Sequence, residues 1–170
     1  MSRVVDILLL QTVSIAIASA GVFAAAVYYM LQLRHQRKVR QTDLVVKLYS
    51  SFTNDDFLAA RAKIRNLEFE DYRDFVKKYG SLSLETPVNL AVFKVASYYD
   101  EVGALLHREL IDADLVSEFL TLTTIKSWHK LKPLIEGYRE DFGFGSRSFR
   151  WFEYLYNEMK KREQVGVKDG

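Results

Sequence analysis

Cysteine is absent from the 170 residues, and proline occurs only twice. Without cysteine there is no thiol nucleophile, no thiolate metal cluster and no disulfide framework, which agrees with a reducing compartment. With two prolines the chain has few forced breaks, so long helices are expected. Histidine is nearly as scarce: His35, His107 and His129 are the only three. None lies near a recognisable nucleophile elbow, and there is no HExxH motif, glycine-rich phosphate loop or calcium-loop pattern. Phe142-Gly143-Phe144-Gly145 holds two glycines but no lysine, so it reads as a turn. Alternation of period two also fails over any useful length, and Thr121 to Ile125 is the only stretch that tempts a strand reading. These absences leave an all-α chain with no enzymatic signature and no implied cofactor.

Charge is missing from all 27 residues between Ile7 and Leu33. As a helix this run reaches about 40 Å, against a hydrocarbon core of roughly 30 Å, so it is long enough to span with tilt. Arg34, Arg37, Lys38 and Arg40 follow at once, whereas the leading segment balances Arg3 against Asp6. Cations stay on the cytoplasmic side. The expected topology is a single-pass protein of the cell's inner membrane, with the N-terminus outside and the rest cytoplasmic. The four cations would also meet anionic lipid headgroups, at about 1 kcal/mol each. Ala18-Ser19-Ala20 before Gly21 resembles a signal-peptide cleavage site, but no net positive charge precedes it and the apolar run continues past it. An anchor is the better reading.

Within the span, Ala16, Ala20 and Ala24 recur every four residues, and Gly21 and Ala25 share that spacing. Such a face lets helices approach closely, which points to a homo-oligomer. Gln11, Thr12 and Ser14 are polar but cannot ionise, so the span offers no proton relay. If several spans ringed a conduit, its wall would be mostly Ala, Val and Leu.

The remaining chain has the size of one domain. The expected division is an anchor with its basic exit over residues 1–41, a compact multi-helix cytosolic domain over 42–163, and a flexible tail over 164–170. Asn54 or Asp55 would cap a helix carrying Phe57, Leu58, Ile64 and Leu67. Asp71 to Tyr79 reads as a short helix closed by Gly80. Thr86-Pro87 is the clearest start, and the stripe Val88, Ala91, Val92, Val95, Tyr99, Val102 and Leu106 marks the central core helix. Asp112 or Asp114 would open the next, with Pro133 kinking or restarting it. Ser146 or Ser148 would cap a last aromatic helix whose core face is Phe149, Phe152, Tyr156 and Met159.

Asp100 and Glu101 form the sharpest acidic pair, with His107 two turns from Asp100 on the same face. A metal needs three or four converging ligands, so a solvated or ion-paired face is the better reading. Lys and Arg total 24 against 22 Asp and Glu, and the four cations after the span account for that excess. No basic face is then left for nucleic acid.

Trp128-His129-Lys130-Leu131-Lys132-Pro133-Leu134-Ile135, with Arg139 beyond it, and Ala96-Ser97-Tyr98-Tyr99-Asp100-Glu101-Val102-Gly103 carry a family resemblance. The chain resembles the uncharacterised prokaryotic membrane proteins grouped as domain of unknown function 4760. That resemblance implies one span, a basic exit and a compact helical domain, and it brings no reaction or ligand. Within these motifs Trp128 would pack over Tyr98 or Tyr99, and Arg139 would pair with Asp100 or Glu101. The result would be a clamp between helices or, more sharply, a small groove. The functional expectation is a non-enzymatic, self-associating scaffolding or interaction module held at the cytoplasmic face, with a possible cytosolic protein partner. An oligomeric pore and an enzyme acting on a membrane substrate stand behind it.

Overall fold

The computed structural model describes residues 2–82, 85–143 and 145–166. The chain divides into two compact units, residues 1–40 and 41–170. Among the described residues there are six α-helices and one short 3-10 turn, and no strand: α1 (Ser2–Thr53), α2 (Asp55–Arg65), α3 (Tyr72–Tyr79), α4 (Pro87–His107), α5 (Ala113–Asp141), the turn Gly145–Arg147, and α6 (Arg150–Gly166). Thr121 to Ile125, the tempting strand, lies inside α5.

The first unit is helical from Ser2 onward and has the length and composition to cross a membrane. The described apolar side chains from Val13 to Leu33 are exposed: Ile17 is 69% exposed and Phe23 73%. A soluble core helix would have buried such a face.

In the second unit the helices begin where local chemistry provides a cap. Asn54 Oδ1 accepts from the Asp56 amide at 2.9 Å, Asp71 Oδ1 from Asp74 at 2.8 Å, and Thr86 Oγ1 from Asn89 at 3.1 Å. Asp112 Oδ1 accepts from both Asp114 and Leu115. Gly80, at φ 85°, ends α3 in a conformation that side chains resist. Pro87 occupies the first turn of α4, where an amide hydrogen would have no partner.

α4 is the centre of the unit, with Val95, Ala96, Tyr99 and Val102 at most 1% exposed. It packs most extensively against α6 and also receives α2 and α5. α5 neither stops nor restarts at Pro133. An interior proline costs about 3 kcal/mol. Leu131, Leu134 and Ile135 around it are buried, at about 1.5–3 kcal/mol each, which is enough to carry the helix through.

On α6 the buried face is Phe152, Leu155 and Met159, while Phe149 and Tyr156 sit half-buried at its edge. The expected tail begins within this helix, which continues to Gly166, and residues 167–170 lie outside the described residues.

Candidate functional site

The motif residues come together around the start of α6, though not in the expected pairs. Asp100 Oδ1 accepts hydrogen bonds from the backbone amides of Trp151 at 2.9 Å and Phe152 at 3.1 Å. A carboxylate on α4 thus satisfies orphan donors of α6 and sits favourably at the positive end of its dipole. This corrects the expectation that Ser146 or Ser148 caps α6. The Ser146 side chain lies outside the described residues, and Ser148 instead offers its carbonyl to Arg139 Nε at 2.9 Å. Gly103, one turn from Asp100, permits the approach, because a Cβ there would overlap the Trp151 carbonyl.

Arg139 pairs with Glu153, Nη2 to Oε2 at 3.0 Å, rather than with Asp100 or Glu101. The contact has the character of an ion pair more than of an aligned hydrogen bond. Trp128 meets the Phe152 ring edge-on at 5.0 Å and stacks on Tyr156 at 5.7 Å. Phe152 in turn stacks on Tyr99 at 4.8 Å, so a third ring links the two that were expected to meet directly. Nothing in the sequence motif names Phe152 as that link. The clamp therefore exists with different partners: α4 to α6 through Asp100, and α5 to α6 through Arg139 and Trp128.

Tyr98 and Glu101 face elsewhere, in an open cleft of about 500 Å³ beside Phe57 and Lys94. The Tyr98 hydroxyl is committed there, donating to the Leu48 carbonyl at 3.0 Å. Burial, followed by the nearby Tyr99 and Glu101, pushes its proton affinity well above that of a free phenol. These six motif residues therefore do not line one groove.

A larger trough of about 680 Å³ lies between α2 and α5 with Val95 of α4 at its floor. Leu58 and Leu122, 44% and 61% exposed, bring apolar surface to its two walls, and Thr123 and Ser127 add hydroxyls. Arg61 and Arg65 come from α2, Lys126 and Lys130 from α5, and no acidic residue lines the trough. Arg61 stacks on Phe52 at 4.4 Å, while Lys130 donates to the Leu67 carbonyl and lies 4.8 Å over Phe69. Arg65 and Lys126 are exposed and form no ion pair among the described residues. This corrects the expectation that the charge balance leaves no basic face: a near-zero sum conceals local segregation. The i, i+4 spacing of Arg61 with Arg65 and of Lys126 with Lys130 is the signal that the sum hides.

In the first unit Arg34, Arg37, Lys38 and Arg40 are exposed, as are Ala16, Ala20, Gly21, Ala24 and Ala25. A Cβ on Gly21 would meet nothing within 4 Å. Among the described residues no three His, Asp or Glu side chains converge on a metal position.

A family model described as a domain of unknown function (DUF4760) matches residues 15–159. No curated protein and no solved structure matches the chain.

Proposed function

We propose that this chain, which belongs to the DUF4760 family across residues 15–159, is a membrane-tethered, non-enzymatic helical module that self-associates and recruits a protein partner at the cytoplasmic face. The observation that carries this reading is the contrast in burial. Residues 13–33 expose their apolar side chains, while the second unit buries a complete core of its own. An uncovered apolar helix of this length matches a bilayer interior, and the cations from Arg34 to Arg40 match an inner leaflet. The small-residue face is open for a second span. Tethering then raises the effective concentration of the second unit for anything else held at the membrane. The rigid α4–α6 joint supports a binding role, because it spends its carboxylate and guanidinium on structure and leaves neither for catalysis.

The absence of cysteine makes the test clean. Lys161, exposed on α6, is replaced in Lys161→Cys and treated with a membrane-impermeant thiol reagent on intact cells and on inverted vesicles. The protein is expected to resist alkaline extraction from membranes and to react only in inverted vesicles. Reaction on intact cells would reverse the orientation, and extraction at high pH would remove the tether. In nanodiscs the full chain is expected to have the mass of a fixed oligomer; a monomer would refute self-association.

A further inference from the structure

The fold employs only two of the four cations in the trough between α2 and α5: Arg61 and Lys130 lie against rings, whereas Arg65 and Lys126 form no ion pair among the described residues. The four cations are arranged as two i, i+4 pairs, one on each wall, and like charges at that spacing repel. At two other i, i+4 positions of the unit a cation meets an acid, Lys78 with Asp74 and Lys132 with Glu136. Here no carboxylate lines the trough, and two exposed leucines, Leu58 and Leu122, share it with the cations. We infer that this trough is the docking site for an acidic amphipathic helix of a partner protein, one with an apolar stripe flanked on both sides by Asp or Glu. The inference rests on the reading of the chain as a recruiting module and names the class of its partner.

The arrangement fits a helix better than a small anion. Phosphate sites gather donors on one point, with backbone amides or a helix N-terminus among them. In this trough the charges are spread along both walls, and Arg61 and Lys130 are each held against an aromatic ring. Arg61 and Arg65 lie one turn apart on α2, and Lys126 and Lys130 one turn apart on α5, a spacing that carboxylates one turn apart on a docked helix would match. α2 is 11 residues, about 16 Å, which limits the docked stretch to about three turns. The leucines and the Val95 floor would receive the partner's apolar stripe, in the manner of other helix-in-groove complexes. Arg65 and Lys126, which form no ion pair among the described residues, supply the charge complement.

The test uses the full chain in nanodiscs of neutral lipid. The probe is a fluorescent peptide of about four turns with a leucine stripe and glutamates on both flanks, read by anisotropy. A scrambled peptide of the same composition and an anionic phospholipid vesicle serve as competitors. The amphipathic peptide is expected to bind at least tenfold more tightly than the scrambled one. The double variant Arg65→Glu with Lys126→Glu should weaken it at least tenfold, and a lysine-flanked peptide should then bind that variant. Equal binding of both peptides would reduce the trough to a general anion attractor and overturn the inference. Displacement by vesicles at the same lipid charge would assign the surface to lipid instead and would also overturn it. No binding while the chain remains tethered and oriented, read by the labelling above, would refute the partner class and leave the tethered reading standing. Circular dichroism of the double variant must match the parent, and the lysine-flanked rescue separates a lost charge from a lost fold.

Discussion

Phe23 and Phe152 are the same side chain in opposite circumstances, 73% exposed on α1 and fully buried on α6. The contrast extends to their units. Residues 13–33 have as many apolar residues as a core helix and no protein against them, whereas the second unit closes its apolar surface with five further helices. Composition alone does not place a residue inside a protein. The helix of the first unit has the length and composition to cross a bilayer, whereas the second unit covers its apolar core with its own helices.

The largest expected effect comes from making one truncation in both places. Phe152→Ala removes the ring that joins Tyr99 to Trp128 and should lower the stability of the second unit by about 3–5 kcal/mol. Phe23→Ala should leave the same thermal or urea transition unmoved. A matching loss for Phe23→Ala would break the comparison, because it would place that ring against protein.

A smaller effect is expected at the α4–α6 joint. Asp100→Ala leaves the Trp151 and Phe152 amides without their acceptor and should cost about 1–2 kcal/mol in urea unfolding. Asp100→Asn keeps an oxygen and should recover most of the loss. If the two variants are equally unstable, the charge rather than the acceptor matters at this helix start.

The smallest concerns the buried phenols. Tyr98→Phe removes the hydrogen bond to the Leu48 carbonyl and should cost about 1 kcal/mol at neutral pH. Burial raises Tyr98, and burial with the Asp141 carboxylate nearby pushes Tyr72 up to about 12. Both phenols hold their protons more tightly when folded. Their contribution to stability is therefore complete below about pH 10, where an unfolded tyrosine titrates, and is lost as pH rises through the folded values. Urea midpoints between pH 9 and 12 should fall in the parent and fall less steeply in Tyr98→Phe. Parallel curves would mean that folding does not raise the proton affinity of Tyr98.

Helix starts were legible wherever the signal is local. Asn54, Asp71, Thr86 and Asp112 each cap the helix that immediately follows, because a side-chain oxygen reaches an amide two or three residues on. The start of α6 was not legible, since its acceptor, Asp100, precedes it by about fifty residues. That α5 runs on past Pro133 without restarting has a related reason. The proline's local cost is real, but the burial of Leu131, Leu134 and Ile135 outweighs it, and burial is not a local quantity. The motif residues Tyr99, Asp100, Trp128 and Arg139 do join helices, yet only the fold supplies Phe152 and Glu153 as their partners. The basic trough was hidden by a nearly balanced charge count, although its four cations stand at visible helical spacing.

Read without the fold, the residues already show a helical chain, an N-terminal helix apolar enough to span a membrane, and the places where four further helices open to within a residue or two. Each of these follows from neighbours in the chain: hydrophobic period, uncharged length, and a cap within reach of its own amide. That Asp100 caps α6, that Arg139 answers Glu153, and that α2 and α5 bring four cations around one trough emerge only from the folded chain. Those outcomes depend on which distant surfaces meet, and that is set by the packing of whole helices rather than by any one stretch of residues.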